Sequence, residues 1–316
     1  MNTDLICFYR DGSQRTFSDC LRFSLLRDRY QPFAVLHAQM QTDGDAGVPV
    51  RAQFRLGGKL LHDGVVVKTE SVRMQGEFVL RLTANSFTSL LVQNQLVPGI
   101  HSDVTLASLL ETYHLPHITY QSGVEVIRYI YVKDNASMWD TVTAYNFKLN
   151  SGFPYVRVPN LLCVLPQTGT VPIVLPEDKI LSTSSNGTLS GMLSRIDMAN
   201  MIGEYGTYTR SNPLAPLYGI VRVKQILLDR QYVYEPDDAL RFRIALGNRR
   251  LLSRSVSYIG YCGEDAEDLV QLENGVSARV SRILVTGGKD GIRTTDSFYF
   301  DDFCNAGGTV PAPAKR

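Results

Sequence analysis

Glu264, Asp265, Glu267 and Asp268 crowd four carboxylates into five positions. Two carboxyl groups flanking a glycosidic bond are what glycoside hydrolysis requires. A charge run of this kind more commonly forms a solvated turn or first helical turn, and a solvated face is the expectation here, as it is for Asp296, Asp301 and Asp302. His114 and His117 stand three apart, a spacing that shares a metal only on a continuous helix or tight turn. Pro116 interrupts them, and no Glu or Cys stands at ligand spacing, so ordinary loop histidines are expected. Gly287-Gly288-Lys289-Asp290-Gly291 has the glycines and the lysine of a phosphate cradle. Such a cradle needs a strand before it and a helix after it. Strand-like segments lie on both sides, so a hairpin turn is expected. No GxSxG elbow is present, and all five histidines precede residue 118. A triad assembles in space, but nothing local favours one. Arg241, Arg243, Arg249, Arg250 and Arg254 are the one basic concentration. Nucleic-acid binding would call for interleaved aromatics and a local excess, whereas Asp229, Glu235, Asp237 and Asp238 offset part of the charge. A solvated face, or a helix face meeting an acidic partner surface, is the reading. No catalytic, cofactor-binding or metal-binding residue is assigned.

The elements that must position these residues follow from periodicity. Val50, Ala52, Phe54 and Leu56 alternate with Arg51, Gln53 and Arg55, as in a half-buried strand. Gly57-Gly58 or His62-Asp63-Gly64 would turn it into a second strand over Leu60 to Val67. Phe33 to Met40 and Phe78 to Ala84 read as further strands. Ser86 is a candidate N-cap for a short helix carrying Phe87, Leu90 and Leu91. Leu106, Leu109, Leu110 and Tyr113 lie on one helical face, with Ser102 or Thr105 as cap. Strands near Ile118 to Gln121 and Tyr129 to Lys133 precede a second helix, capped by Asn135 and carrying Met138, Trp139, Val142, Tyr145 and Leu149. Trp139, the only tryptophan, is expected in core or interface packing. Tyr155 to Val158 and Leu161 to Leu165 form a hairpin turning at Pro159-Asn160. Later strands are expected at Val171 to Leu175, Gly219 to Leu228, Ser255 to Tyr261 and Phe298 to Phe300, with a strand from Val276 to Val285 interrupted by a bulge. Pro236-Asp237-Asp238 would open a helix to about Leu252. Period-two alternation of Leu240, Phe242, Ile244 and Leu246 keeps a strand open there.

The whole chain has 316 residues, enough for two or three domains. Apolar residues make up 44% and charged residues 20%, with a net charge of +1, which fits a globular protein and argues against a dedicated nucleic-acid binder. Cys7, Cys20, Cys163, Cys262 and Cys304 are odd in number and without CxxC spacing, so free thiols in a reducing compartment are expected. No run reaches the ~18 apolar residues of a membrane helix, and no signal peptide is recognised at the N-terminus.

Several stretches carry a resemblance. Ser86-Phe-Thr-Ser-Leu-Leu-Val-Gln-Asn-Gln-Leu-Val-Pro-Gly99 closes a β-rich segment. Val104-Thr-Leu-Ala-Ser-Leu-Leu110 and the Tyr-His-Leu-Pro ending follow it. Tyr129-Ile-Tyr-Val-Lys-Asp-Asn-Ala-Ser-Met-Trp-Asp140, Pro154 to Pro166, and Tyr234-Glu-Pro-Asp-Asp-Ala-Leu-Arg-Phe-Arg243 through Arg254 complete the order. This series resembles the contractile-tail baseplate hub family, related to phage late control protein D, found in phages, tailocins and other contractile injection systems. The resemblance implies a mainly β (α+β) fold with two tail-tube-like antiparallel β-barrels and an α+β insert. The expected divisions are a first barrel domain (1–100), the α+β insert (101–166), a mixed connector (167–218), a second barrel domain with a helix (219–304) and a flexible tail (305–316). It further implies a non-enzymatic homotrimer that joins a sixfold tail tube to a threefold central spike. Its partners would be the spike, tube proteins, a wedge or LysM-like baseplate protein, and the tape measure protein. It would neither read nucleic acid specifically nor insert into membranes. Assembly in the producing cell's cytoplasm and release in a virion or tailocin would follow. A tube-initiating or distal tail protein is the nearest alternative, and a cell-wall hydrolase the more distant one.

Overall fold

A computed structural model describes residues 2–74, 76–122, 125–150, 152–169, 171–228, 236–272 and 275–299, without the side chains of Met74 and Asp238. The expectations for Asp301, Asp302, Cys304 and the tail 305–316 lie outside the described residues.

Seven strands open the chain: β1 (Thr3–Phe8), β2 (Gln14–Phe17), β3 (Cys20–Asp28), β4 (Val35–Thr42), β5 (Arg51–Leu56), β6 (Lys59–Met74) and β7 (Glu77–Ser86). Their alternation places Phe54, Leu56, Leu80, Leu82 and Ala84 on one buried face. Gly57 and Gly58, at φ +57° and +81°, form the β5–β6 turn, with Leu56 opposite Lys59. His62-Asp63-Gly64 instead lies inside β6.

The next segment holds α1 (Leu90–Gln93), β8 (Gly99–Val104), α2 (Leu106–Leu110), β9 (Thr119–Tyr120), β10 (Ile127–Val132), α3 (Met138–Asn150), β11 (Tyr155–Arg157) and β12 (Leu161–Cys163). Trp139 packs here with Leu91, Leu109, Ile130 and Val142 in a core of its own. The caps differ in part from expectation. Thr105 caps α2 in a reciprocal box with Ser108, while Ser102 belongs to β8. Ahead of α3, Ser137 and Asp140 exchange the equivalent bonds, and Asn135 sits in the left-handed region at φ +63°. Ser86 does not cap; its hydroxyl accepts from the Ala34 amide and meets Thr88.

Then come β13 (Ile173–Val174), β14 (Ile180–Asn186), β15 (Arg195–Met198), β16 (Tyr208–Ser211), β17 (Val223–Ile226) and α4 (Pro236–Asn248). The helical reading of α4 prevails over the period-two one, because Ala239, Leu240 and Ile244 pack on Ile196, Met198 and Phe147. Finally β18 (Ser253–Ile259), β19 (Leu269–Gln271), β20 (Ser277–Arg279), β21 (Arg282–Gly288) and β22 (Gly291–Tyr299) appear. The expected bulge near Val280 is a corner instead: β20 pairs with β19, whereas β21 pairs with β3 and β22. Gly288 lies opposite Gly291, so the glycine–lysine segment is the expected hairpin turn.

The two β-rich ends of the chain share one eleven-stranded antiparallel sheet, in the order β14-β18-β22-β21-β3-β4-β7-β6-β5-β1-β2. The seam is β3 against β21, with Leu25 opposite Val285. A single apolar core runs from Leu5 to Phe298. Among the described residues the sheet keeps two edges, β14 and β2, with no pairing that closes it into a barrel. The fold is thus mainly β with several antiparallel sheets.

Candidate functional site

The loop from Gly260 to Asp268 contains the acidic run, and it does not face solvent. Glu264, Asp265 and Glu267 are buried, and Asp268 is half-buried. Gly260 and Gly263, at φ +100° and +97°, let the chain fold back over the end of β18.

Asp265 is the centre of a clasp between three distant parts of the chain. Its Oδ1 accepts from Arg27 Nη1 at 2.8 Å and its Oδ2 from the Val158 amide at 2.7 Å. Arg27 comes from β3, and its second nitrogen donates to the Leu61 carbonyl at 2.9 Å. Arg157, on β11, donates to Asp268 Oδ1 at 2.7 Å and to the Ala266 carbonyl at 2.9 Å. Arg29 pairs with Glu267 at 2.7 Å. A second tie lies alongside. Arg51 grips Asp63 through two nitrogens, at 2.8 and 2.7 Å. Asn160 donates to the Asp63 carbonyl and accepts from the Phe87 amide. The segment from α1 to β12, the expected insert, is therefore joined to the sheet by buried polar contacts.

Among the described residues, Glu264 and Asp296 are buried carboxyl groups whose pKa is raised. Tyr258 Oη donates to Glu264 at 2.6 Å, and the Cys262 amide donates at 3.1 Å. Asp296 lies on β22 between Val256 and Ile283, and neither of its carboxyl oxygens has a hydrogen-bond partner. Burial raises the pKa of Glu264, while the Tyr258 and Cys262 donors partly oppose that shift. Burial first, and then the Glu264 charge, raises that of Asp296 well above the ordinary value. Both side chains are fully enclosed, at 0% exposure, so a glycan strand cannot reach them. His62 is likewise buried, with neither ring nitrogen bonded. Desolvation, followed by the nearby Arg27 charge, lowers its pKa to about 3.

The remaining candidates fall apart in space or serve packing. His117 packs at a tilt of 44° against Phe87 with ring centres 4.5 Å apart, and both His114 and His117 have positive φ. No group of three or more His, Cys, Asp or Glu among the described residues could hold a metal. Arg249 and Arg250 are not a solvated face: Arg249 lies over the Tyr30 ring, and Arg250 over Tyr299 while pairing with Asp28 at 3.1 Å. No local signal could have exposed the clasp, because Asp265 and Arg27 are 238 positions apart. No helix among the described residues is long and apolar enough to cross a membrane.

No protein-family model matches the sequence, and no curated protein matches it. Solved structures do. A tail protein from Neisseria meningitidis aligns at TM-score 0.71 and 10% identity, over 95% of this chain and 97% of its own. The 43 kDa tail protein of prophage MuSo2 from Shewanella oneidensis aligns at 0.71 and 11%, over 94% and 98%. The Escherichia coli c3393 protein, a component of the type VI secretion system, aligns at 0.56 and 11%, over 94% and 77%. Across nearly its whole length, the chain has the fold of phage tail proteins.

Proposed function

We propose that the chain is a structural hub of a contractile tail, a trimeric adaptor between a sixfold tail tube and a threefold spike. The observation that carries this reading is the reciprocal coverage: 94–95% of this chain matches 97–98% of two tail proteins, one of them from a prophage. The enclosure of Glu264 and Asp296 supports a non-enzymatic role. In this reading β1–β7 and the group β14, β18, β21 and β22 act as the two tube-like units of one chain. Three chains then bring six such units to a ring, in line with the preference of oligomers for closed symmetry. The segment 101–166 is the insert, 167–218 the connector, and 219–304 the second unit with its helix. Spike, tube, wedge or LysM-like and tape measure proteins are the expected partners.

Native mass spectrometry of the purified chain, with class averages from electron microscopy, tests this. A ring at three times the 35.2 kDa of the chain supports the adaptor. Six copies per ring would instead favour a tube initiator, and a monomer at every concentration would also overturn the proposal.

A further inference from the structure

Where α4 meets the loop before β15, the backbones come close together. A Cβ on Gly191 would lie 2.9 Å from the Gly247 carbonyl, and one on Gly247 would lie 2.6 Å from that of Gly191. Beside this contact opens a cavity of about 320 Å³. Leu193, Ile196 and Leu246 give it an apolar floor, and Lys224, Arg243, Arg249 and Arg250 contribute four cations. No carboxylate is among its lining residues in the described part of the chain. Arg250 is already paired with Asp28, but neither Lys224 nor Arg249 has an ion-pair partner among the described residues. Arg249 donates one nitrogen to the Leu246 carbonyl, and its Nε is buried without a partner. A buried guanidinium nitrogen left without an acceptor is costly, and a carboxylate oxygen is the acceptor that best removes the cost.

We propose that this cavity is a docking site for an acidic peptide segment of a partner protein, one that alternates carboxylate and apolar side chains. The cationic rim takes the carboxylates, and the leucine–isoleucine floor takes the apolar side chains between them. A peptide is favoured over a small oxyanion because the apolar floor offers such an ion nothing. The site lies on a single chain, so it stands or falls independently of the trimeric adaptor.

The test is fluorescence anisotropy on the full chain with a labelled hexapeptide of alternating Glu and Leu. Its control is the peptide with Gln in place of Glu. The acidic peptide should bind with an affinity that falls as salt rises, and the Gln peptide should bind at least tenfold more weakly. Lys224→Gln, at an exposed position, should weaken binding about tenfold without changing the unfolding midpoint, and Arg249→Gln should weaken it at least as much while also lowering the midpoint, because its guanidinium packs on Tyr30. The proposal is overturned if the acidic peptide does not bind, or if it binds both variants as tightly as the parent. It is also overturned if inorganic pyrophosphate binds as tightly, which would show a simple oxyanion site, or if the Gln peptide binds as well as the acidic one, which would show a merely greasy groove.

Discussion

Removing the Asp265 carboxylate should release the insert from the sheet and cost more than any surface ion pair could. Asp265 and Arg27 have side-chain exposures of 8% and 7%, so water cannot replace either partner. Asp265→Ala leaves the Arg27 guanidinium buried with only the Leu61 carbonyl to bond, and it orphans the Val158 amide. Deleting one member of a buried pair typically costs about 3–5 kcal/mol, against about 0–1 kcal/mol at the surface. With a urea slope of about 3 kcal/mol/M, the midpoint should fall by about 1–1.7 M. Far-UV circular dichroism follows the sheet, and the fluorescence of Trp139 follows the insert core in which it is buried. The Trp139 transition should move at least as far as the sheet transition, because the lost bonds are the ones that join the two. A paired Arg27→Met, Asp265→Leu variant should recover part of the loss, since the Arg27 charge is no longer stranded, while the Val158 amide still lacks its acceptor. A shift below about 0.3 M for Asp265→Ala, or no recovery in the pair, would refute the clasp.

Three further outcomes follow from buried groups. Asp296 has a raised folded pKa, so the folded chain holds a proton that the unfolded chain releases above its ordinary value of 3.8. Stability is therefore lost as pH rises from that point, and Asp296→Asn should gain on the parent by up to about 1.4 kcal/mol per pH unit until the buried acid ionises, as read by thermal melts from pH 4 to 9. His62 has the opposite sign: the unfolded chain takes up a proton below 6.5 while the folded chain resists to about 3. The parent should weaken across that window by up to about 1.4 kcal/mol per pH unit, and His62→Leu should show a flatter acid limb in the same melts. Gly64→Ala would drive a Cβ against the Asn85 backbone carbonyl and to within 2.8 Å of His62 Nε2. It should cost at least about 3 kcal/mol in urea unfolding, whereas Gly58→Ala, with φ +81° but open space around it, should cost only about 1–2 kcal/mol.

Legibility in the sequence tracked contact range. The turn at Gly57-Gly58, the box-capped helix α2, the hairpin of β11 and β12 and the opening of α4 at Pro236 are decided by neighbours within a few positions. The merging of the two β-rich ends was not readable, because the partners Leu25 and Val285 stand 260 positions apart. The acidic run misled for the same reason. Four carboxylates in five positions repel one another in water, and a solvated face is the low-energy outcome unless cations arrive. Here they arrive as Arg27, Arg29 and Arg157, from the first strands and the insert. Asp296 gave no signal either: its alternation with Thr294 and Phe298 sets the buried face, but its polarity argues against burial.

The placement of that polarity has a physical consequence for the whole chain. Apolar contacts would hold the insert against the sheet in many nearly equal orientations, since dispersion and the hydrophobic effect carry little direction. Contacts from Arg157 to Asp268, from Asp265 to Val158 and from Asn160 to Asp63 and Phe87 have defined lengths and angles, so only one docking angle satisfies them all. The insert keeps its own apolar core around Trp139, separate from the core of the sheet. Apolar contacts cross the joint as well, with Tyr155 and Cys163 packed on Ala266 and Phe153 on Tyr30, and the hydrogen bonds add direction to them. In the ring proposed above, every subunit must present the same surface, which depends on that docking angle more than on the last few kcal/mol of packing, and this polar joint would help to fix it.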